Sequence, residues 1–306
     1  MHRPSLLPTV AAASILCALL FLAPCLYAGN PIVQPKGKGE ISIYGGSSST
    51  TAYYDVNGVM KRFDTLATEF TATTFGLNVM YGLSDDVQLD LDVPLAYYSI
   101  TSKALHPKRS IFSVTYYGVG ATYQLSRGKV SSSISGMVKV PPGFHHGIYD
   151  DPNHPTFLSD GYFQIGGTFN FGFNMKETWI KGHVGYNWRD EEPADEIVYG
   201  AEVGFSKVEG TGIYVKVDGV VSTADVTQPL EPFYAGTSGP PSSLERLDGG
   251  RGIFRTIDRE DYTSLTAGAF VGISSHVYLS GSYTLRLFGN NTLDLKGAYL
   301  GAGYKF

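Results

Sequence analysis

The chain has 306 residues, with 37 Gly, 21 Tyr and 17 Phe against 2 Trp and 2 Cys, and a formal net charge of −5. A mildly acidic chain presents no basic stripe for nucleic acid, so none is expected as a partner. After residue 28 no apolar run approaches the roughly 18 residues a spanning helix needs, so any passage through a membrane falls to strands.

Residues 1–28 read as a secretory signal: His2 and Arg3 form a basic end, 10–22 an apolar core, and Leu26-Tyr27-Ala28 a cleavage site. A lipoprotein signal at Cys25 is the rival reading, but Pro24 occupies the place of a small residue. Cys17 and Cys25 both lie in this segment. Cleavage near Ala28 therefore leaves no disulfide framework, thiol nucleophile or thiolate metal site. Residues 29–38 are expected to be a periplasmic N-terminal segment, and 39–306 one all-β domain.

From residue 39 the apolar pattern has a period of two, the signature of strands with two unlike faces. Segments 39–55 and 64–82 flank Asn57-Gly58, a strong hairpin signal. In the next hairpin Thr71, Thr73, Phe75, Leu77, Val79 and Tyr81 share one face, and Leu83-Ser84-Asp85-Asp86 makes the turn. On the return Val87, Leu89, Leu91, Val93, Leu95 and Tyr97 lie on one face, opposite Gln88, Asp90, Asp92 and Pro94. About 11 alternating residues suffice to cross a bilayer at a steep tilt. Pro94 lacks a ladder donor and predicts a bulge or bend. Tyr81 and Tyr97 mark the two ends of the apolar band.

The pattern continues over 110–125, 130–140, 161–174, 178–188, 196–206, 212–222, 262–274, 277–288 and 292–306, which makes twelve strands. In 161–174, Phe163, Ile165, Phe169, Phe171 and Phe173 oppose Gln164, Thr168, Asn170 and Asn174. Tight turns near residues 84, 127, 176, 209 and 275 alternate with long Pro-, Asp- and Gly-rich connections over 101–109, 141–160, 189–195 and 226–261. An even strand number with short turns on one side and long loops on the other predicts a transmembrane antiparallel β-barrel, both termini periplasmic. A sheet in hydrocarbon can leave no edge unpaired, so 39–55 must pair with 292–306.

The terminal strand carries Leu300, Ala302, Tyr304 and Phe306 on one face and resembles the closing strand of bacterial outer-membrane barrels. That resemblance implies recognition by the outer-membrane assembly machinery through the strand ending at Phe306. Tyr81-Gly82-Leu83-Ser84-Asp85-Asp86-Val87-Gln88-Leu89 with Val93-Pro94-Leu95, then Val138-Lys139-Val140-Pro141-Pro142-Gly143, and Gly185-Tyr186-Asn187-Trp188-Arg189 before an acidic loop resemble a second set. These are the barrels grouped as the MetA-pathway of phenol degradation family. The resemblance covers about half of the exported chain. It implies an outer-membrane channel for small, often apolar or aromatic compounds, and supplies no catalytic or binding residues.

Strand parity turns Asp90, Asp92, Lys139, Lys181, His183, Glu202, Lys216, Asp218 and Arg286 inward, since each would cost a few kcal/mol against lipid at the midplane. They are candidates for a solute-selecting lumen lining. The alternative is a plugged interior in which pairs such as Glu202 and Lys216 neutralise each other. In the longest loop Phe233, Tyr234 and Phe254, with Arg246 and Arg251, are candidates for a lid over the mouth. Loop 141–160 carries His145, His146, His154, Asp150, Asp151 and Asp160, but nothing in their spacing brings three or four onto one ion, and no metal is assigned. Outer-membrane phospholipases, also twelve-stranded, carry a His two residues before the nucleophilic Ser; no His-x-Ser occurs here, so no enzyme and no cofactor is expected. The expected role is passive uptake of a small-molecule solute through a barrel set in outer-membrane lipid. The alternative is a structural or adhesive barrel with a plugged lumen and partner-binding loops.

Overall fold

The computed structural model describes residues 31–55, 57–62, 69–101, 109–142, 163–189, 195–208, 210–223, 261–290 and 292–306. In chain order the strands are β1 (Gly39–Thr50), β2 (Ala52–Tyr54), β3 (Met60–Arg62), β4 (Glu69–Gly82), β5 (Val87–Thr101), β6 (Arg109–Val114), β7 (Tyr117–Ser126) and β8 (Val130–Val140). They continue as β9 (Gln164–Asn174), β10 (Thr178–Arg189), β11 (Glu196–Val208), β12 (Thr211–Ser222), β13 (Asp261–Gly272), β14 (Val277–Asn290), β15 (Thr292–Leu293) and β16 (Lys296–Lys305).

Antiparallel pairing runs from β1 through β4, β5, β7 and each following strand to β14 and β16, and returns to β1. With β6 and β7 as two parts of one wall strand, this is a closed twelve-strand barrel. The terminal strands pair as closure demands, from Glu40 opposite Lys305 to Ser49 opposite Lys296. The Gly39 amide donates to the Phe306 carbonyl at 3.1 Å and the Phe306 amide to that of Gly39 at 3.0 Å.

The outward face holds the apolar alternates, among them Ile41, Leu89, Leu91, Val119, Phe169 and Phe171, all exposed on the isolated chain. The alternates between them, including Ser42, Asn78, Gln88, Thr122, Ser133 and Asn170, are polar and buried. A soluble sheet buries its apolar face; this inversion suits a wall with hydrocarbon outside and polar groups within.

Three expected strands are divided. The first does not run to Asp55: the chain kinks at Thr51, where the Thr50 hydroxyl bonds the carbonyl and amide of Ala52. β2 then leaves the barrel to pair with β3 and β15 in a small separate sheet. The last strand is divided for the same reason, since β15 joins that sheet while β16 stays in the wall. Asn57-Gly58 turns β2 into β3, with Gly58 at φ 74° and the Asp55 amide donating to the Val59 carbonyl. Of the strand expected over 64–82, Glu69–Gly82 is present as β4, and residues 64–68 lie outside the described residues.

The third division bears on the lumen. β5 pairs with β6 up to Leu95 opposite Val114, and with β7 from Asp92 opposite Gly118. Two residues of β5, Val93 and Pro94, thus face three of the neighbour, Thr115, Tyr116 and Tyr117. This is the irregularity Pro94 predicts, a bulge whose extra residue reverses strand parity. Outward positions are even in β6 (Phe112) and odd in β7 (Tyr117, Val119).

Candidate functional site

The inward side chains enclose a cavity of about 450 Å³. Six of the nine residues expected inside line it: Asp90, Asp92, Lys139, His183, Lys216 and Asp218. Asp90 and Asp92 stand two apart on β5 and are only 7% and 4% exposed. Asp90 accepts from the Gln88 amide at 2.6 Å and the Thr122 hydroxyl at 3.0 Å. Asp92 accepts from the Tyr116 hydroxyl at 2.7 Å and, at 3.4 Å, from that of Tyr44. Tyr116 reaches Asp92 because the bulge turns it inward, and the Lys139 ammonium lies over its ring, 4.9 Å from the centroid.

Glu202 and Lys216 are register partners, as their inward parity implies, yet they do not form the ion pair that the plugged-interior alternative offered as its example. Glu202 accepts from the Trp179 indole at 2.6 Å and lies 3.6 Å from the Lys181 ammonium. Lys216 bends along its own strand to Asp218, at 2.9 Å. Each charge has two candidate counter-ions, and the shorter bonds on offer decide the pairing. Arg286 stacks its guanidinium over Tyr262 at 3.6 Å. Near the long-loop end the Arg189 guanidinium holds Glu196 at 3.0 Å. Within the described residues, then, the inward charges are partly paired and partly left facing the cavity.

The residues before β1 do not hang free below the barrel. The Val33 amide donates to Gln124 Oε1 at 2.8 Å, and Gln124 Nε2 donates back to the Pro31 carbonyl at 2.5 Å. The Gln34 amide donates to Gln88 Oε1 at 2.8 Å and the Lys36 amide to Asp85 at 3.1 Å. Gln88 and Gln124 are inward positions, so residues 31–36 lie inside the turn end of the lumen, with Val33 2% exposed. Gly82 is required where this segment enters, because a Cβ there would meet the Pro35 carbonyl. On the far side of the same end Trp179 packs on Phe270, with ring centroids 6.0 Å apart. The sequence pattern holds no signal for the segment, which has no periodicity. Strand parity does mark Gln88, Gln124 and Trp179 as inward.

Aromatic and thioether groups complete the cavity: Tyr44, Tyr116, Tyr262, Tyr278, Met80 and Met137. Several of the inward rings lie flat over a glycine of the next strand, as Tyr44 does over Gly76. The lumen therefore presents ring faces as well as charges. The lid candidates Phe233, Tyr234, Arg246, Arg251 and Phe254, and the His and Asp residues at 145–160, lie outside the described residues. Among the described residues no group of three His, Cys, Asp or Glu side chains could hold a metal ion.

No family model and no curated protein matches the chain. Solved structures do. The COG4313 outer membrane channel from Pseudomonas putida F1 is 16% identical, over 91% of this chain and 98% of that one, with a TM-score of 0.64. The NanC porin is 9% identical, over 87% of this chain and all of its own, with a TM-score of 0.51. At such identities the likeness is one of fold.

Proposed function

We propose that the chain is an outer-membrane channel for passive uptake of small, apolar or aromatic compounds. The observation that carries this reading is the cavity of about 450 Å³ inside a closed barrel, lined by both hydrogen-bonding groups and ring faces. The two solved channels of similar fold support it, as does the resemblance to the phenol-degradation family, to which we assign the chain. On this reading the signal is cleaved near Ala28, both termini face the periplasm, and the assembly machinery recognises the strand ending at Phe306. No residue is given a catalytic role.

The test is reconstitution. Purified barrel in planar bilayers should conduct ions, and liposomes containing it should swell in small aromatic solutes. A folded barrel that does neither is a structural or adhesive one. That second reading is favoured by one feature, the segment 31–36 held in the turn end of the lumen.

A further inference from the structure

The cavity has more acceptors than its own donors satisfy. Neither Asp90 nor Asp92 has a cation within ion-pair distance among the described residues, although both are nine-tenths buried or more. The other charged or titratable groups on the cavity are committed or held off. Lys216 is bound to Asp218, His183 sits beside that pair over Gly200, and Glu196 is bound to Arg189. The Lys139 ammonium lies on Tyr116 and acts on Asp92 only from beyond ion-pair distance.

A second, separate observation points the same way. Asn170 also lines the cavity, is wholly buried, and its Oδ1 has no hydrogen-bond partner. Its amide nitrogen donates to Ser135 at 2.9 Å, Ser135 meets Thr122 at 2.9 Å, and Thr122 donates to Asp90. Every donor in this chain of bonds is therefore used, and the acceptor at its end is left over. A buried acceptor without a donor costs free energy that a suitable ligand would recover.

We propose that the cavity between Asp90, Asp92 and Asn170 binds the ammonium group of small organic amines, and that these are the preferred solutes of the channel. An ammonium supplies three donors, which the two carboxylates and the free amide oxygen can accept, and adds a positive charge to that of Lys139 near Asp92. Met80, Met137 and the faces of Tyr44 and Tyr116 receive the apolar remainder and add cation–π attraction. Lys139 already shows the geometry, since its own ammonium lies on the Tyr116 ring next to Asp92.

This inference rests on the channel reading for transport but not for binding, so two measurements separate them. Calorimetry on the folded, detergent-solubilised barrel should detect 2-phenylethylammonium and neither phenylacetate nor 2-phenylethanol, which share its ring. In liposomes the ammonium should enter about tenfold faster than phenylacetate, the effect expected of one charged hydrogen bond. Asp90→Asn with Asp92→Asn should abolish both differences, while Asp86→Asn, on an exposed turn, should change neither. Should the double variant fail to assemble, Asp92→Asn alone should lower the preference.

Binding without entry keeps the site and overturns the channel. Equal binding and entry of all three probes overturns the site and keeps the channel. Loss of 2-phenylethylammonium binding in equimolar potassium chloride assigns the acceptors to an inorganic cation and overturns the organic class.

Discussion

The Thr115 amide donates to the Pro94 carbonyl at 2.8 Å, and around this bond the barrel wall changes phase. On one side Phe112 and Val114 use even positions for the outer face; on the other, Tyr117 and Val119 use odd ones. The bulge absorbs the extra residue, so that Tyr116 reaches Asp92 while the apolar side chains of both halves stay outside.

Removing Thr115 should therefore be tolerated, because Val114, Tyr116 and Tyr117 then alternate out, in and out and both halves keep their faces. Removing Val119, in the regular part of β7, instead turns Thr122 and Gln124 toward the lipid. We expect the heat-modifiable folded band on a gel to persist for the Thr115 deletion and to disappear for the Val119 deletion. A Thr115 deletion that does not fold refutes this account of the bulge.

Phe306 is expected to matter in proportion to its place at the seam. It exchanges two backbone bonds with Gly39, and its ring stacks 6.4 Å from Tyr304 on the outer face. Phe306→Asp removes about 1.5–3 kcal/mol of apolar burial and puts a charge near lipid. Folded protein in the membrane should fall several-fold, with Phe306→Tyr close to wild type, as measured by surface-band densitometry.

Gln124 holds the segment in the lumen at two points, and Gln124→Ala should release it. Each lost bond is worth about 1 kcal/mol, enough to shift a short segment between held and free. Single-channel conductance should rise in Gln124→Ala and rise further when residues 31–36 are replaced by Gly and Ser. Unchanged currents in both would mean that the segment does not limit passage.

The hairpin of β2 and β3, outside the barrel wall, should respond to acid. The Lys61 ammonium, 2.7 Å from Asp55, and the amides of Val59 and Asn57 hold the Asp55 carboxyl below its usual range. A depressed folded-state pKa stabilises the hairpin fully above the unfolded value, about pH 4. That contribution disappears as pH falls through the lower, folded value. Protection of the amides over 57–62, relative to their intrinsic exchange rates, should therefore fall only below about pH 4, and Asp55→Asn should remove that fall.

Accessibility tests the orientation. The Asn57 turn lies at the long-loop end and the Arg127 turn at the other. A tag at Asn57 should be cut by protease on intact cells, and one at Arg127 only after the outer membrane is opened. The reverse pattern inverts the barrel.

The strands were legible because Leu89, Leu91, Phe169 and Phe171 alternate with Gln88, Asp90, Asp92 and Asn170, and a period of two fixes both element and face. Pro94 announced the bulge through its missing donor. The same parity placed Asp90, Asp92, Lys139, His183, Lys216 and Asp218 on the cavity. Parity gives a face and not a rotamer, so it paired Glu202 with Lys216 where the indole and Lys181 compete for one and Asp218 for the other. Tyr116 was hidden by the phase change itself. Residues 31–36 were hidden because their bonds run from backbone amides to Gln88 and Gln124, and backbone amides are the same in every sequence.

The bonds between Gly39 and Phe306 also set an order of events. They belong to the seam between β1 and β16, so the ring gains its last pair of edges only when these two strands meet. Until then the sheet has two open sides, and the segment 31–36 needs no threading, since it can swing in from the unsealed edge. Once Phe306 seats, that way is shut. The segment must then come and go through the turn-end mouth, and its departure becomes an event of the finished pore with a rate set apart from that of assembly.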